Sequence, residues 1–307
     1  MFEMFAGRVF AVARSGSGRK LILRAVLCCL CALGLPARSE TVVTHNVSVE
    51  TLKKENPGYE IELLMLSLDV TTDKYGPYRI QPLRDDMNVA RRVEEMNSGK
   101  HSNYIRSFSY HSKLEKRGKL IFADYPVYRG ILGYRTCFMP RSLRSKISNV
   151  KTEGDLLSFT YGLQKGWSDI AILKHNGFSV VESDTYNSLF KMVAANRFDL
   201  FCRGANEILV EHHYHHHLPG FDYDRSMAIY YPLPHFFYGN KSSKKVLERI
   251  EEGLRIAHEQ GKVIELWEKY FGESVTFVGL DKRQVFYFEN PTVKGLKSDY
   301  EKYIYRP

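Results

Sequence analysis

The alternation of apolar and polar positions is most regular between Leu156 and Glu207. Leu156-Leu157-Ser158-Phe159-Thr160-Tyr161 is a short apolar run that reads as a buried strand. Gly162 to Gly166 follows as a polar, glycine-flanked loop, and Trp167 to Leu173 opens a helix with Ser168 or Asp169 as its cap. Gly177 ends that helix, and Ser179-Val180-Val181-Glu182 is a second strand. Leu189, Phe190, Met192 and Val193 then fall at helical spacing within Tyr186 to Asn196. Phe198 to Cys202 is a third strand whose end delivers Arg203-Gly204-Ala205-Asn206-Glu207. Strand, helix, strand, helix, strand predicts a parallel α/β unit. Ligands of open α/β sheets sit beyond the carboxyl ends of the strands. Two segments lie at such ends: the Gly162–Gly166 loop, which runs into a helix N-terminus suited to an anion, and Arg203 to Glu207.

The first half repeats this logic. Thr41 to Val47 reads as a strand, Tyr59 to Asp73 as a largely apolar helix, and Tyr78 to Leu83 as the next strand. A helix capped by Asp85 or Asp86 runs through Met96, and Tyr104 to His111 is a third strand. Tyr110 and Ser112 stand at its end, before the basic segment Lys113 to Lys119. Tyr125 to Arg135 has no helical period and reads as an extended crossing between lobes. Phe221 to Tyr238, rich in proline and aromatic residues, is a second crossing. Helices over Lys244–Glu259 and Lys262–Tyr270 follow, the latter ended by Gly272, and Gln284 to Phe288 is a last strand. The pattern predicts an α/β chain of two lobes: residues 40–133, residues 134–235, and a return to the first lobe with a tail over residues 236–307.

Composition changes this picture at the N-terminus. Residues 1–39 combine Arg8, Arg14, Arg19, Lys20 and Arg24 with the apolar run Ala25–Leu35 and Ala37-Arg38-Ser39, the pattern of a signal peptide cleaved before Glu40. The apolar run is shorter than the ~20 residues of a spanning helix. Six basic residues and Glu3 leave with it, so the net charge of +9 falls to +4, too mild to argue for nucleic acid. Three of the five cysteines leave as well. Cys137 and Cys202 remain as a candidate disulfide in an oxidising compartment, with two buried thiols as the alternative.

Gly261-Lys262-Val263-Ile264-Glu265-Leu266-Trp267-Glu268-Lys269-Tyr270-Phe271-Gly272 resembles the closing signature of type II periplasmic solute-binding proteins, the amino-acid-binding family of bacterial ABC importers. Asn196-Arg197-Phe198-Asp199 is similar to that family's "G-R-x-D", and Ile121 to Pro126 to its "F-S-x-P-Y" before the first hinge. The likeness covers roughly Glu40 to Gly272, in a divergent subgroup. It implies a two-lobed fold with two hinge crossings, closing on a small ligand. It also implies a periplasmic monomer working with an ABC permease or a membrane sensor, without a cofactor. The family's carboxylate-clamping Arg falls at Lys116, with Arg117 beside it. Its ligand acid falls at Gly204, preceded by Arg203, so an anionic ligand held by Arg203, Lys116 or Arg117 and the helix after Gly166 is expected, with Trp167 as a pocket floor. The bland readings are a salt bridge for Arg203, a solvated turn for Lys116 and Arg117, and core packing for Trp167.

Glu211-His212-His213-Tyr214-His215-His216-His217 raises a second class, a metal-binding protein, because His212 with His216 and His213 with His217 have i, i+4 spacing. The cluster lies after the second-lobe helix and ends at Leu218-Pro219-Gly220, so a solvated helix end is the competing reading. No catalytic motif with a supporting context occurs, so an enzyme is not expected. A degenerate lobe pair acting through a protein partner is the remaining alternative.

Overall fold

The computed structural model describes residues 39–83, 89–111 and 120–307. The signal-peptide segment, the Asp85 or Asp86 cap and the candidate site residues Ser112, Lys116 and Arg117 lie outside the described residues.

Each lobe is built on two sheets linked by an isolated bridge. In the first, β1 (Thr41–His45) runs parallel to β2 (Tyr78–Pro82) and is bridged at Thr44 to Tyr104, just before β3 (Arg106–Ser109). Strand β11 (His235–Asn240) lies antiparallel between β3 and β4 (Leu120–Phe122). In the second, β7 (Ser179–Ser183) pairs with β6 (Thr160–Gln164), which is bridged at Tyr161 to Leu200, beside β8 (Phe201–Gly204). Strand β5 (Tyr134–Pro140) is antiparallel to β8, and β9 (Phe221–Tyr223) and β10 (Met227–Tyr230) share its other edge. Strand β12 (Gln284–Tyr287) lies parallel to β10. The part of the tail that the sequence places with the first lobe therefore adds a strand to the second.

Helices cover both lobes. In the first lobe they are α1 (Tyr59–Asp69) and α2 (Val89–Ser98). In the second they are α3 (Ser168–His175), α4 (Tyr186–Ala194) and α5 (Ile208–His215). Helix α6 (Lys244–Glu259) buries Val246, Leu247, Ile250, Leu254 and Ala257, the apolar stripe of a surface helix, against α1. Helix α7 (Lys262–Val278) runs past Gly272, which adopts ordinary helical backbone; the expected stop there is overturned. It ties both lobes: Lys269 pairs with Glu62 at 3.0 Å, and Ser274 Oγ donates to the Ala205 carbonyl at 2.8 Å.

The lobes are joined where the sequence places its crossings. Tyr231 N–H donates to the Gly133 carbonyl at 3.2 Å, so the two connections run side by side. A Cβ on Gly133 would stand 2.5 Å from the Tyr231 carbonyl oxygen, so only glycine permits the approach.

The strand expected at Leu156–Tyr161 begins four residues later, because Glu153–Leu156 form a helical turn with a Thr152–Asp155 capping box. Similarly β8 starts at Phe201, and Trp167, not Ser168 or Asp169, occupies the N-cap of α3.

Cys137 and Cys202 face each other as register partners on β5 and β8 and are joined by a disulfide. The bond closes a separation of 65 residues, a constraint on the unfolded chain worth about 4 kcal/mol. The Cys137→Ser/Cys202→Ser double variant is expected to lose stability of that order in urea denaturation. A loss below ~1 kcal/mol would show that this bond does not restrain the unfolded chain as loop closure requires.

Candidate functional site

A cavity of about 800 Å³ lies between the lobes, on the carboxyl side of β3, β6 and β8. That is room for a small solute. The first lobe lines it with Arg92, Arg106, Ser107, Ser109, His111 and His235; the second with Arg135, Gly166 to Asp169, Arg203, Asn206 and Glu207. Tyr128, Leu132 and Leu233 form the hinge side. The lobes meet at its rim, where the hydroxyls of Ser109 and Ser168 are 3.4 Å apart.

The first-lobe wall is organised by Glu60, in the first turn of α1. Its carboxylate accepts from Ser107 N–H at 3.0 Å and the Ser107 hydroxyl at 2.8 Å, and lies 3.2 Å from both Arg106 Nη1 and His45 Nε2. Burial alone would raise this carboxyl, but Arg106, His45 and Ser107 outweigh it and hold Glu60 well below the usual range. Arg106 is thereby aimed along the cavity from the start of β3. His235 opens β11 with its ring edge-on to Tyr128, at 5.4 Å between centroids. Burial pushes its pKa down to about 4, so the imidazole is neutral at physiological pH.

The second-lobe wall grows from the adjacent ends of β5 and β8, where Arg135 pairs in register with Gly204. Arg135 Nη2 is 2.6 Å from Asp169, whose carboxylate also accepts from the Tyr231 hydroxyl at 2.6 Å. Burial pushes the Asp169 carboxyl up, yet Arg135, Tyr231 and Arg203 together hold it below the usual range. Arg203 is 9% exposed. Its Nε donates to both oxygens of Glu211, at 2.8 and 3.0 Å, and an Nη2 hydrogen bond goes to Glu207. Its guanidinium also lies 4.7 Å over the Trp167 ring. The cation expected to meet a ligand anion is thus neutralised within the wall, by the salt bridges that were the alternative reading.

Glu207 stands at the N-cap of α5, accepts from Gly204 N–H at 2.9 Å, and keeps 28% of its side chain exposed. Behind it, burial and then the charge of Glu207 outweigh Arg203 and push Glu211 up to about 7. Two carboxylates share one arginine, and the outer one reaches the cavity. The sequence offers Glu207 as a substitute for the family's amine-binding acid but places it inside the next helix. Its place at the N-cap follows from the end of β8 at Gly204, the position at which the family acid was sought, three residues before it.

Other sequence-derived candidates separate. Trp167 lines the cavity while its ring stacks near Phe201, at 6.3 Å. Gly166 lines the cavity, with φ of 89°. Gly162 does not: it lies inside β6, where a Cβ would stand 2.1 Å from the Phe198 ring. Tyr110 is buried among Phe122 and Phe236 of the first core, while its neighbours Ser109 and His111 face the cavity. This inversion is a register effect, because alternate strand residues point to opposite faces.

The histidines lie close without forming a metal site: the His216 ring is 5.8 Å from that of His212 and 6.2 Å from that of His213. Helix α5 ends at His215, so His216 and His217 lie past the last turn. His212 packs on Tyr223 and Phe277, His215 stacks on Phe190, and His213 and His217 are exposed. Among the described residues no group of three or more His, Cys, Asp or Glu is placed to hold a metal ion.

Two α/β lobes, two paired crossings and a cavity between them define a class: this is the two-lobed type II periplasmic-binding-protein fold. Among solved structures the chain is similar to an ancestral arginine-binding protein bound to arginine, with 19% identity, 77% of this chain and 100% of that chain covered, and a TM-score of 0.51. It is also similar to a histidine kinase sensor domain with similarity to periplasmic binding proteins, at 16% identity, 77% and 97% coverage and a TM-score of 0.54. The GluR0 ligand-binding core in complex with L-glutamate aligns over 76% of this chain and 99% of that one, at 10% identity and a TM-score of 0.53. No family model and no curated protein matches the sequence.

Proposed function

We propose that the chain is an exported binding protein that closes its lobes on a small zwitterionic, amino-acid-like solute. The observation that carries this reading is the interlobe cavity of about 800 Å³, with guanidinium groups on its walls and the Glu207 carboxylate at its second-lobe edge. The solute's acid group lies toward Arg106 and the first lobe, and its amino group on Glu207. The fold's commonest motion, hinge closure, brings those walls together. The purely anionic ligand suggested by Arg203 fits less well, since that arginine is already paired twice. Binding rather than catalysis is the role, and a membrane permease or a membrane sensor is the partner that takes the closed form.

The Cys137–Cys202 disulfide and the signal-like residues 1–39 support a periplasmic setting. No helix among the described residues is long and apolar enough to cross a membrane.

The test is a thermal-shift screen of the purified protein against amino acids, dicarboxylates, phosphate compounds and divalent metals. A ligand at ~100 times its Kd adds about 2.7 kcal/mol of stability. Amino acids are expected to shift the transition, and Glu207→Gln, which keeps the hydrogen bond from Gly204, is expected to weaken them at least tenfold while sparing compounds without an amine. A shift with dicarboxylates alone, or an unaffected Glu207→Gln protein, would overturn the reading.

A further inference from the structure

The tail after β12 returns to the first lobe, the fourth passage between the lobes, since α7 has already carried the chain from α6 to β12. Its origin is in the second lobe: β12 extends that sheet, Phe288 meets Phe178 edge-on at 4.8 Å, and Asn176 Nδ2 donates to the Glu289 carbonyl at 2.8 Å. Asn290 then ties the chain to the second crossing, its Nδ2 donating to the Pro232 carbonyl at 2.7 Å while its Oδ1 accepts from Thr292 N–H at 2.8 Å. Beyond Thr292 the ring contacts that hold the chain are on the first lobe and α7, though Tyr300, Glu301 and Arg306 stay near Tyr230 of β10. Tyr300 stands edge-on to Phe236 at 6.0 Å, Tyr303 lies against Tyr125 at 4.7 Å, and Tyr305 stacks on Trp267 at 5.0 Å. Tyr305 N–H closes the run on the Arg129 carbonyl at 2.7 Å.

We propose that residues 288–307 are a strap that sets how far the cleft opens. The two crossings at Gly133 and Tyr231 lie side by side and on their own leave the lobes free to rotate about that line. Beside α7, this further connection, packed on both lobes against the buried rings of Phe178, Phe236, Tyr125 and Trp267 and held to the second crossing at Asn290, restricts that rotation. Opening has to bend the chain between Glu289 and Thr292 or strip one of its anchors. The strap leaves the second lobe beside α3, whose first turn lines the cavity, so its position is coupled to the same rim that Ser109 and Ser168 close. This inference concerns the lobes alone and holds whatever the ligand proves to be.

The experiment measures the distance distribution between spin labels carried by noncanonical residues at Glu94 in α2 and Asp184 after β7, both exposed and on opposite lobes. Labels of that kind leave the disulfide undisturbed. The full-length chain is expected to give one narrow distribution without ligand. Deleting residues 288–307 should broaden it and move it to longer distance. Because deletion also uncovers first-lobe aromatic surface, an Asn176→Ala/Asn290→Ala variant, which cuts the ties but keeps those anchors, is measured beside it and should broaden in the same direction. Should this variant, with native circular dichroism, superimpose on the wild type, the strap does not govern opening. A wild type that is already broad would overturn the idea equally.

Discussion

Arg203→Met should cost the protein about 3–5 kcal/mol at pH 8, the usual consequence of removing one partner from a buried charge cluster. The reason lies in the pair it leaves behind. Glu207 and Glu211 both spend their charge on this guanidinium, and Tyr186 donates a further hydrogen bond to Glu211 at 2.6 Å. Glu211 already sits at about 7, raised by burial first and by Glu207 second, with Arg203 pulling the other way. Without the arginine it rises further. A carboxyl whose folded pKa exceeds its unfolded value destabilises progressively as pH rises from the unfolded value through the folded one. In the wild type that decline is complete near pH 7; in Arg203→Met it continues above it. The variant's deficit should therefore be larger at pH 8 than at pH 5 by up to about 1.4 kcal/mol, the linkage of one proton between pH 7 and pH 8, as read from denaturant midpoints at the two pH values. An equal deficit at both would mean that Glu211 is not the group responsible. Glu211→Gln should flatten the wild-type decline between the ordinary carboxylate value and pH 7.

Two glycine-to-alanine changes, both in long helices, should have opposite signs. On propensity alone either would stabilise by up to about 1 kcal/mol. At Gly272 the nearest atom to the new methyl is Glu268 Cβ at 3.8 Å, so the gain should be realised. At Gly253 the methyl would stand 1.9 Å from the Ser67 carbonyl oxygen and 2.7 Å from its carbon. Those are backbone atoms of α1 and have no rotamer to yield. Helices α1 and α6 would have to part across the first-lobe core, a loss of about 3 kcal/mol or more by comparison with overpacked interiors. Thermal melts of the two variants decide it. A stabilised Gly253→Ala protein would show that the close approach of α1 and α6 is not required.

The lobe plan was legible in the periodicity because each helix and strand has one buried face. Leu189, Phe190 and Val193 on α4, and Val246, Ile250 and Leu254 on α6, announce their elements without any partner being known. The crossings were legible for a different reason: proline and glycine at Pro232, Pro234 and Gly133 exclude regular structure on their own. Strand ends were less secure. One capping box at Thr152 displaced β6 by four residues, which moved Gly162 from a ligand loop into a sheet.

The sequence by itself determined two α/β lobes, their two crossings and a second-lobe strand end that presents Arg203 to a cleft, since these rest on local patterns of burial and backbone freedom. Tertiary structure alone decided what Arg203 does there, because that depends on Glu207 and Glu211 returning on a helix to claim it. It alone brought Glu60, Arg106 and His235 to one wall from three separate elements. It also took the tail from one lobe to the other, a path set by aromatic contacts between residues distant in the chain, such as Tyr303 on Tyr125. Charge pairing and packing across such separations leave no periodic trace in a sequence.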